Sequence, residues 1–179
     1  MVREIVKYGA RVLREPCAPV AVVDDEVRNL IGDLFDSLRA ADGVGLAAPQ
    51  IGVLQRVIVV DVSHQLPDQP PLALVNPRIV KASGTQVGEE GCLSFPDLYS
   101  EVKRHAVVEV EALDAEGQPF LVTAEGFKAR VLQHEIDHLQ GTLFVDHVSS
   151  LKRQLMRGAL KRLRREGEEW DQAHPAGLT

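Results

Sequence analysis

Two cysteines, Cys17 and Cys92, are too few to build a disulfide framework, the more so if one is given to a metal. The expected compartment is the cytoplasm, where thiols stay reduced. No apolar run reaches the ~18 residues that a membrane-spanning helix needs. The first residues, Met1-Val2-Arg3-Glu4, are mixed and charged, unlike the start of a secretory leader. Internal repeats and low-complexity stretches are absent. Neither DNA nor a membrane is therefore expected as a partner, and the chain is expected to act as a monomer.

What is present is an ordinary globular composition. With 45% hydrophobic and 26% charged residues, a chain of 179 residues can bury a core as one domain, 1–179. Its charge is unevenly placed. The net charge is −6, yet residues 151–165 carry Lys152, Arg153, Arg157, Lys161, Arg162, Arg164 and Arg165 and no acidic residue. We expect a basic helix over 151–170 and a flexible tail over 171–179. A basic helix on an acidic body suits an RNA-rich partner. The plainer alternative is a solvated helix that packs Leu151, Leu155, Leu160 and Leu163.

The pattern of apolar residues predicts an α+β fold. Val27, Leu30, Ile31, Leu34, Phe35 and Leu38 recur at helical spacing over 25–41. Val57–Val62 and Leu72–Val75 read as buried strands, separated by a surface loop at Asp68-Gln69-Pro70-Pro71. Val108-Glu109-Val110-Glu111 alternates as a half-exposed strand and is closed by a turn at Asp114–Gly117. Short antiparallel strands are expected to pack around one central helix, with a further helix at the C-terminus.

That central helix carries His134-Glu135-Ile136-Asp137-His138, an H-E-x-x-H. Two histidines four apart share a helical face, so both imidazoles can reach one metal ion. The glutamate between them sits where it can take a proton from a metal-activated water. Thr123 is the expected N-cap, helix formers run from Ala129 to Gln140, and Gly141 is the expected stop. Phe127, Val131, His134 and His138 form one stripe, and Leu132, Ile136 and Leu139 a second. A helix apolar around most of its girth is buried, which would turn the histidines to an interior cleft.

The third ligand decides the chemistry. A metzincin would need histidine at 144, where Phe144 stands. A thermolysin-like protease would use a downstream glutamate, with Glu166, Glu168 and Glu169 as candidates. Cys92, in Glu90-Gly91-Cys92-Leu93-Ser94, is the other candidate. One thiolate and two imidazoles leave an open position for water. A further segment, Gly43-Val44-Gly45-Leu46-Ala47-Ala48-Pro49-Gln50, fits a loose dinucleotide pattern, but a helix precedes it rather than a strand. It reads instead as a loop that lets backbone approach a ligand closely, with Gln50 presenting an amide.

Taken together and in this order, G-V-G-L-A-A-P-Q, E-G-C-L-S and H-E-I-D-H resemble the motifs of the peptide deformylase family. Those motifs are G-φ-G-φ-A-A-x-Q, E-G-C-φ-S and H-E-φ-D-H, and every fixed position is matched. The resemblance implies that Cys92, His134 and His138 hold the metal, usually Fe²⁺ in such enzymes, with Zn²⁺, Ni²⁺ or Co²⁺ as substitutes. It implies removal of the formyl group from N-formylmethionyl nascent peptides. Glu135 would move the proton, and the Gln50 amide and the Leu93 backbone N–H would hold the oxyanion. Val44 and Gly45 on one side and Glu90 and Gly91 on the other would bind the peptide backbone. Val44, Leu93, Phe127 and Val131 are candidates for an apolar methionine pocket, with Arg130 at its rim or else solvated. Tyr99 stands where some bacterial relatives carry an arginine that contacts the substrate. Bacterial relatives also dock on the ribosome through a C-terminal helix. A metalloprotease and a non-catalytic formyl-peptide-binding module are the alternative readings.

Overall fold

The computed structural model describes residues 1–175; residues 176–179, the end of the expected tail, lie outside the described residues. Along the chain run α1 (Asp25–Ala40), β1 (Gly45–Ala47), β2 (Val57–Val60), β3 (Leu72–Ser83), β4 (Gln86–Cys92) and β5 (Phe95–Arg104). They are followed by β6 (Val107–Leu113), β7 (Pro119–Glu125), α2 (Gly126–His138), α3 (Ser150–Leu155) and α4 (Arg157–Ala173). Strands β1-β2-β3-β6-β7 form one antiparallel sheet in that order, and β4-β5 form a separate hairpin.

The sheet is sandwiched between two helices. Asp24 caps α1, its carboxylate accepting from Val27 N at 3.0 Å, and Asp25 and Glu26 occupy the first turn, where the helix dipole favours negative charge. Its stripe of Val27, Ile31, Leu34 and Leu38 packs with Val57, Val59 and Val75 on one sheet face. Helix α2 covers the other face, where Ala129, Leu132, Ile136 and Leu139 meet Ile58, Val60, Leu74, Val108 and Val110. Successive residues of β2 thus point to opposite covered faces, which is why Val-Ile-Val-Val is apolar throughout rather than alternating. Burying each large aliphatic side chain stabilises by about 1.5–3 kcal/mol before entropy is subtracted. A third cluster joins Val6 and Leu13, Phe95 and Val102 of the hairpin, Phe144 and Leu163 of α4.

The α+β arrangement around the H-E-x-x-H helix is as expected, and several boundaries differ for identifiable reasons. Thr123 is not a cap: it pairs with Glu109 in the ladder, which continues to Glu125 opposite Val107. Gly126, at φ +56, makes the turn directly from strand to helix. Gly141, at φ +71, ends the turn after α2, as its place in the sequence suggests. The basic C-terminal stretch is two helices broken at Met156 rather than one. Helix α4 reaches Ala173, beyond the expected start of the tail, because Asp171 accepts from Arg11 N at 3.1 Å. Among the described residues, no helix is long and apolar enough to cross a membrane.

Candidate metal centre

His134 and His138 project from one side of α2, their ring centroids 5.0 Å apart. Both are buried, as is most of that helix, so they face the protein interior. Opposite them is the end of the hairpin. The ladder shifts register between Gly91, which pairs with Tyr99, and Cys92, which pairs with Phe95 across the Leu93-Ser94 turn, so Pro96, Asp97 and Leu98 bulge out of the pairing. That irregularity turns the Cys92 side chain towards the helix, and its Sγ lies 3.4 Å from His138 Nε2. One donor atom from each of Cys92, His134 and His138 lies within 4.8 Å of the others. His134 spends its Nδ1 on Glu90 Oε1 at 2.9 Å, which leaves Nε2 for the cluster.

Burial disfavours charge on both imidazoles. At His134, hydrogen bonds to Cys92 and Glu90 outweigh burial and raise the pKa well above 6.5. At His138, burial and the neighbouring His134 push it well below. One sulfur and two ring nitrogens converging at this spacing form a donor set that fits a divalent metal.

Glu90 is the hub behind His134. Burial alone would raise its pKa, but hydrogen bonds and charge from Arg104 and His134 prevail and hold the carboxyl well below the usual carboxylate range. Arg104 grips it from Nε and Nη2, each at 2.9 Å, and Arg130 Nη1 donates to the same carboxylate at 2.7 Å. With Glu90 ionised, His134 Nδ1 must be the donor of its bond, which sets the tautomer. Arg104 Nη1 continues to Asp137 at 2.6 Å, and Asp137 accepts from His147 at 2.9 Å.

In front of the cluster lies a cleft of about 470 Å³, whose lining includes Val44, Gly45, Gln50, Leu93, Tyr99 and Glu135. Gln50 is buried in a short 3₁₀ turn, Ala48–Ile51. Its Oε1 accepts from Ala47 N at 2.9 Å, which orients the amide. Nε2 then donates to Ser94 Oγ at 3.2 Å and towards Cys92 Sγ at 3.4 Å. Glu135 is fully enclosed, and burial pushes its pKa from 4.5 up to about 7. Its Oε2 has no hydrogen-bond partner. A carboxyl of that pKa, buried beside a metal-binding cluster and with a free oxygen, is suited to taking and returning a proton near neutral pH.

A model of the polypeptide deformylase family matches residues 2–154. The chain belongs to the polypeptide deformylase family. It is an enzyme of that metal-dependent family, whose known function is deformylation of nascent peptides. Peptide deformylase of Alkalilimnicola ehrlichii is 48% identical over 164 residues, 92% of each chain. That of Thermomicrobium roseum is 53% identical over 151 residues, 82% of this chain and 86% of the relative. The crystal structure of peptide deformylase from Thermus thermophilus is similar with a TM-score of 0.86 at 40% identity, covering 93% of this chain and 99% of that one.

The family excludes the metalloprotease and binding-module alternatives, and the fold agrees: Glu166, Glu168 and Glu169 lie on α4 and are not in the ligating cluster. Two expected pocket residues are placed elsewhere. Phe127 lines a separate groove with Leu66, Pro67 and Lys128, and Val131 packs in the core between α2 and the sheet. They share the histidine stripe, but Phe127 is seven residues from His134, about 10 Å along the axis. A shared face does not guarantee a shared cavity. The Glu90 carboxylate is occupied by Arg104, Arg130 and His134, so this side chain is free for no substrate contact and orients His134 instead. Arg130 is neither solvated nor at a rim but buried. Arg104 was not singled out from sequence, since a charged residue in a strand carries no signal of burial until its partner is known.

Proposed function

We propose that the chain removes the formyl group from N-formylmethionyl peptides at this cleft, with a metal ion held by Cys92, His134 and His138. The observation that carries the reading is the unpartnered, buried Oε2 of Glu135 beside those three convergent donors. A bound divalent ion supplies Lewis acidity, making water a nucleophile near neutral pH and polarising the formyl oxygen. Glu135 accepts the proton of the attacking water and delivers it to the leaving amine, so that formate and a free N-terminus result. Gln50 Nε2, held by its own Oε1 bond to Ala47, donates to the developing oxyanion together with the Leu93 backbone N–H. Glu90 keeps His134 in its Nδ1–H form throughout. Val44, Gly45 and Gly91, in the cleft lining, take the extended peptide backbone alongside β1.

Thiolate and imidazole donors suit Fe²⁺, the ion we propose, and Zn²⁺, Ni²⁺ and Co²⁺ as substitutes. The enzyme works as a cytoplasmic monomer, and α3 and α4 dock it on the ribosome. Support for docking is a groove of about 920 Å³ to which Arg153, Arg157, Lys161, Arg164 and Arg165 all contribute.

Formate release from an N-formylmethionyl peptide, by protein prepared without air or reloaded with Ni²⁺, tests the reading beside Glu135→Ala. Rapid release that disappears in the variant is expected. Absence of release from folded, metal-loaded protein overturns it.

A further inference from the structure

The metal donors are split between two elements that are not neighbours in the sheet. Cys92 ends β4 of the hairpin, whereas His134 and His138 belong to α2. Their separation therefore depends on whatever fixes the hairpin against the helix. Arg104 reaches α2 directly only at Asp137 and otherwise through Glu90, which accepts from His134 Nδ1; Gln133 of α2 adds two bonds to the His105 backbone beyond β5. Arg130 is on α2, one turn before His134 and on the same face. Its Nη1 donates to Glu90 Oε2 on β4 at 2.7 Å and to the Val102 carbonyl on β5 at 2.9 Å. One nitrogen of the helix thus joins both strands of the hairpin that carries the cysteine, and it does so with a side chain only 6% exposed.

The residue facing the guanidinium is consistent with a rigid strut. A Cβ at Gly88 would lie 3.1 Å from Arg130 Nη2 and 3.4 Å from Cζ. The planar group lies close against bare backbone, with Nη2 unpartnered, so its position is set by Nη1 and by packing. The Glu90 carboxylate lies between Arg130 and His134, taking Arg130 Nη1 on Oε2 and His134 Nδ1 on Oε1, so a shift of Arg130 is passed to the histidine through it.

We propose that Arg130 is a positioning residue: it sets the distance between Cys92 and the His134–His138 pair, and thereby how firmly the metal is retained. This rests on the reading that these three residues hold the metal. The strut acts on the ligands and touches no substrate atom. Loss of such an outer partner typically weakens metal binding about 10–100-fold.

The test is the rate at which a chelator strips Co²⁺ from the holoenzyme, followed by the thiolate-to-cobalt absorption, well below the unfolding temperature of each variant. In Arg130→Met the rate should rise about 10–100-fold and the thiolate band should shift. Thermal unfolding of the metal-free protein gives the purely structural effect as a separate number. Gly88→Ala, which crowds the guanidinium without removing it, covers the case in which Arg130→Met fails to fold, and its release rate should rise severalfold. Release within twofold of wild type and an unshifted band in a folded variant overturn the strut. A wild-type protein that binds no Co²⁺ at all overturns instead the assignment of the ligands on which it rests.

Discussion

Gly45 and Glu135 touch across the cleft: a Cβ on residue 45 would stand 2.5 Å from Glu135 Oε1 and 2.8 Å from its Cγ. Strand β1 can pass the Glu135 carboxylate only because residue 45 has no side chain. The glycines of the first motif therefore serve the site as well as the loop.

Gly45→Ala should displace Glu135, since the clash is with its side chain and the β1 backbone is paired to β2. A misplacement of about 1 Å can lower turnover about 10²-fold. We expect kcat to fall by that order while metal content stays at one per chain. Formate-release kinetics with metal analysis decide the matter, and an unchanged kcat would mean that the carboxylate has room to move.

Gln50→Leu removes the amide that bonds Ser94 and points towards Cys92, and keeps the approximate volume. Loss of one oxyanion donor costs about 10²–10³ in rate. The variant should retain its metal and lose turnover to that extent. Near-normal kcat would remove Gln50 from the oxyanion site.

Glu135 also makes the metal-free protein sensitive to pH. Burial raises its folded-state pKa from 4.5 to about 7, so across that window the folded chain binds more protons than the unfolded one. Stability should then fall as pH rises from about 4.5 to about 7 and level off above. Glu135→Gln lacks this loss, so its advantage should open across the same window, reaching a few kcal/mol at most. Urea unfolding of both metal-free proteins between pH 4.5 and 8 measures it; parallel curves would show that the carboxyl is not held protonated.

Arg157→Glu with Lys161→Glu reverses charge at two exposed positions of the α4 groove. Ribosome cosedimentation should weaken roughly tenfold at low salt and less at high salt. Formate release from a free peptide should be unaffected, since neither residue lines the cleft in front of Cys92 and His134. Cosedimentation equal to wild type at every salt concentration would eliminate this surface as the dock.

Local pattern carried much of the site. Histidines four apart must share a helical face, and Gly141 must end the turn, because both follow from backbone geometry within a few residues. The three motifs together identified the family and so the chemistry. The same local logic did not place Phe127, which is seven residues from His134 and lines a separate groove, or Val131, which is within a turn of His134 but packs in the core between α2 and the sheet. It also failed for Thr123, where strand pairing to β6 prevailed over a cap preference that counts only once the chain has become helical.

The sequence by itself determined that two imidazoles and a carboxyl share one buried helix, that a basic segment follows, and which family carries these motifs. Only the tertiary structure decided that Cys92, 46 residues from His138, stands 3.4 Å from it. It alone showed the Glu90 carboxylate to be the shared acceptor of Arg104, Arg130 and His134. Helical periodicity is a property of neighbouring residues. A buried charge is tolerable only where partners from distant segments converge on it, and a sequence does not display that convergence before the chain has folded.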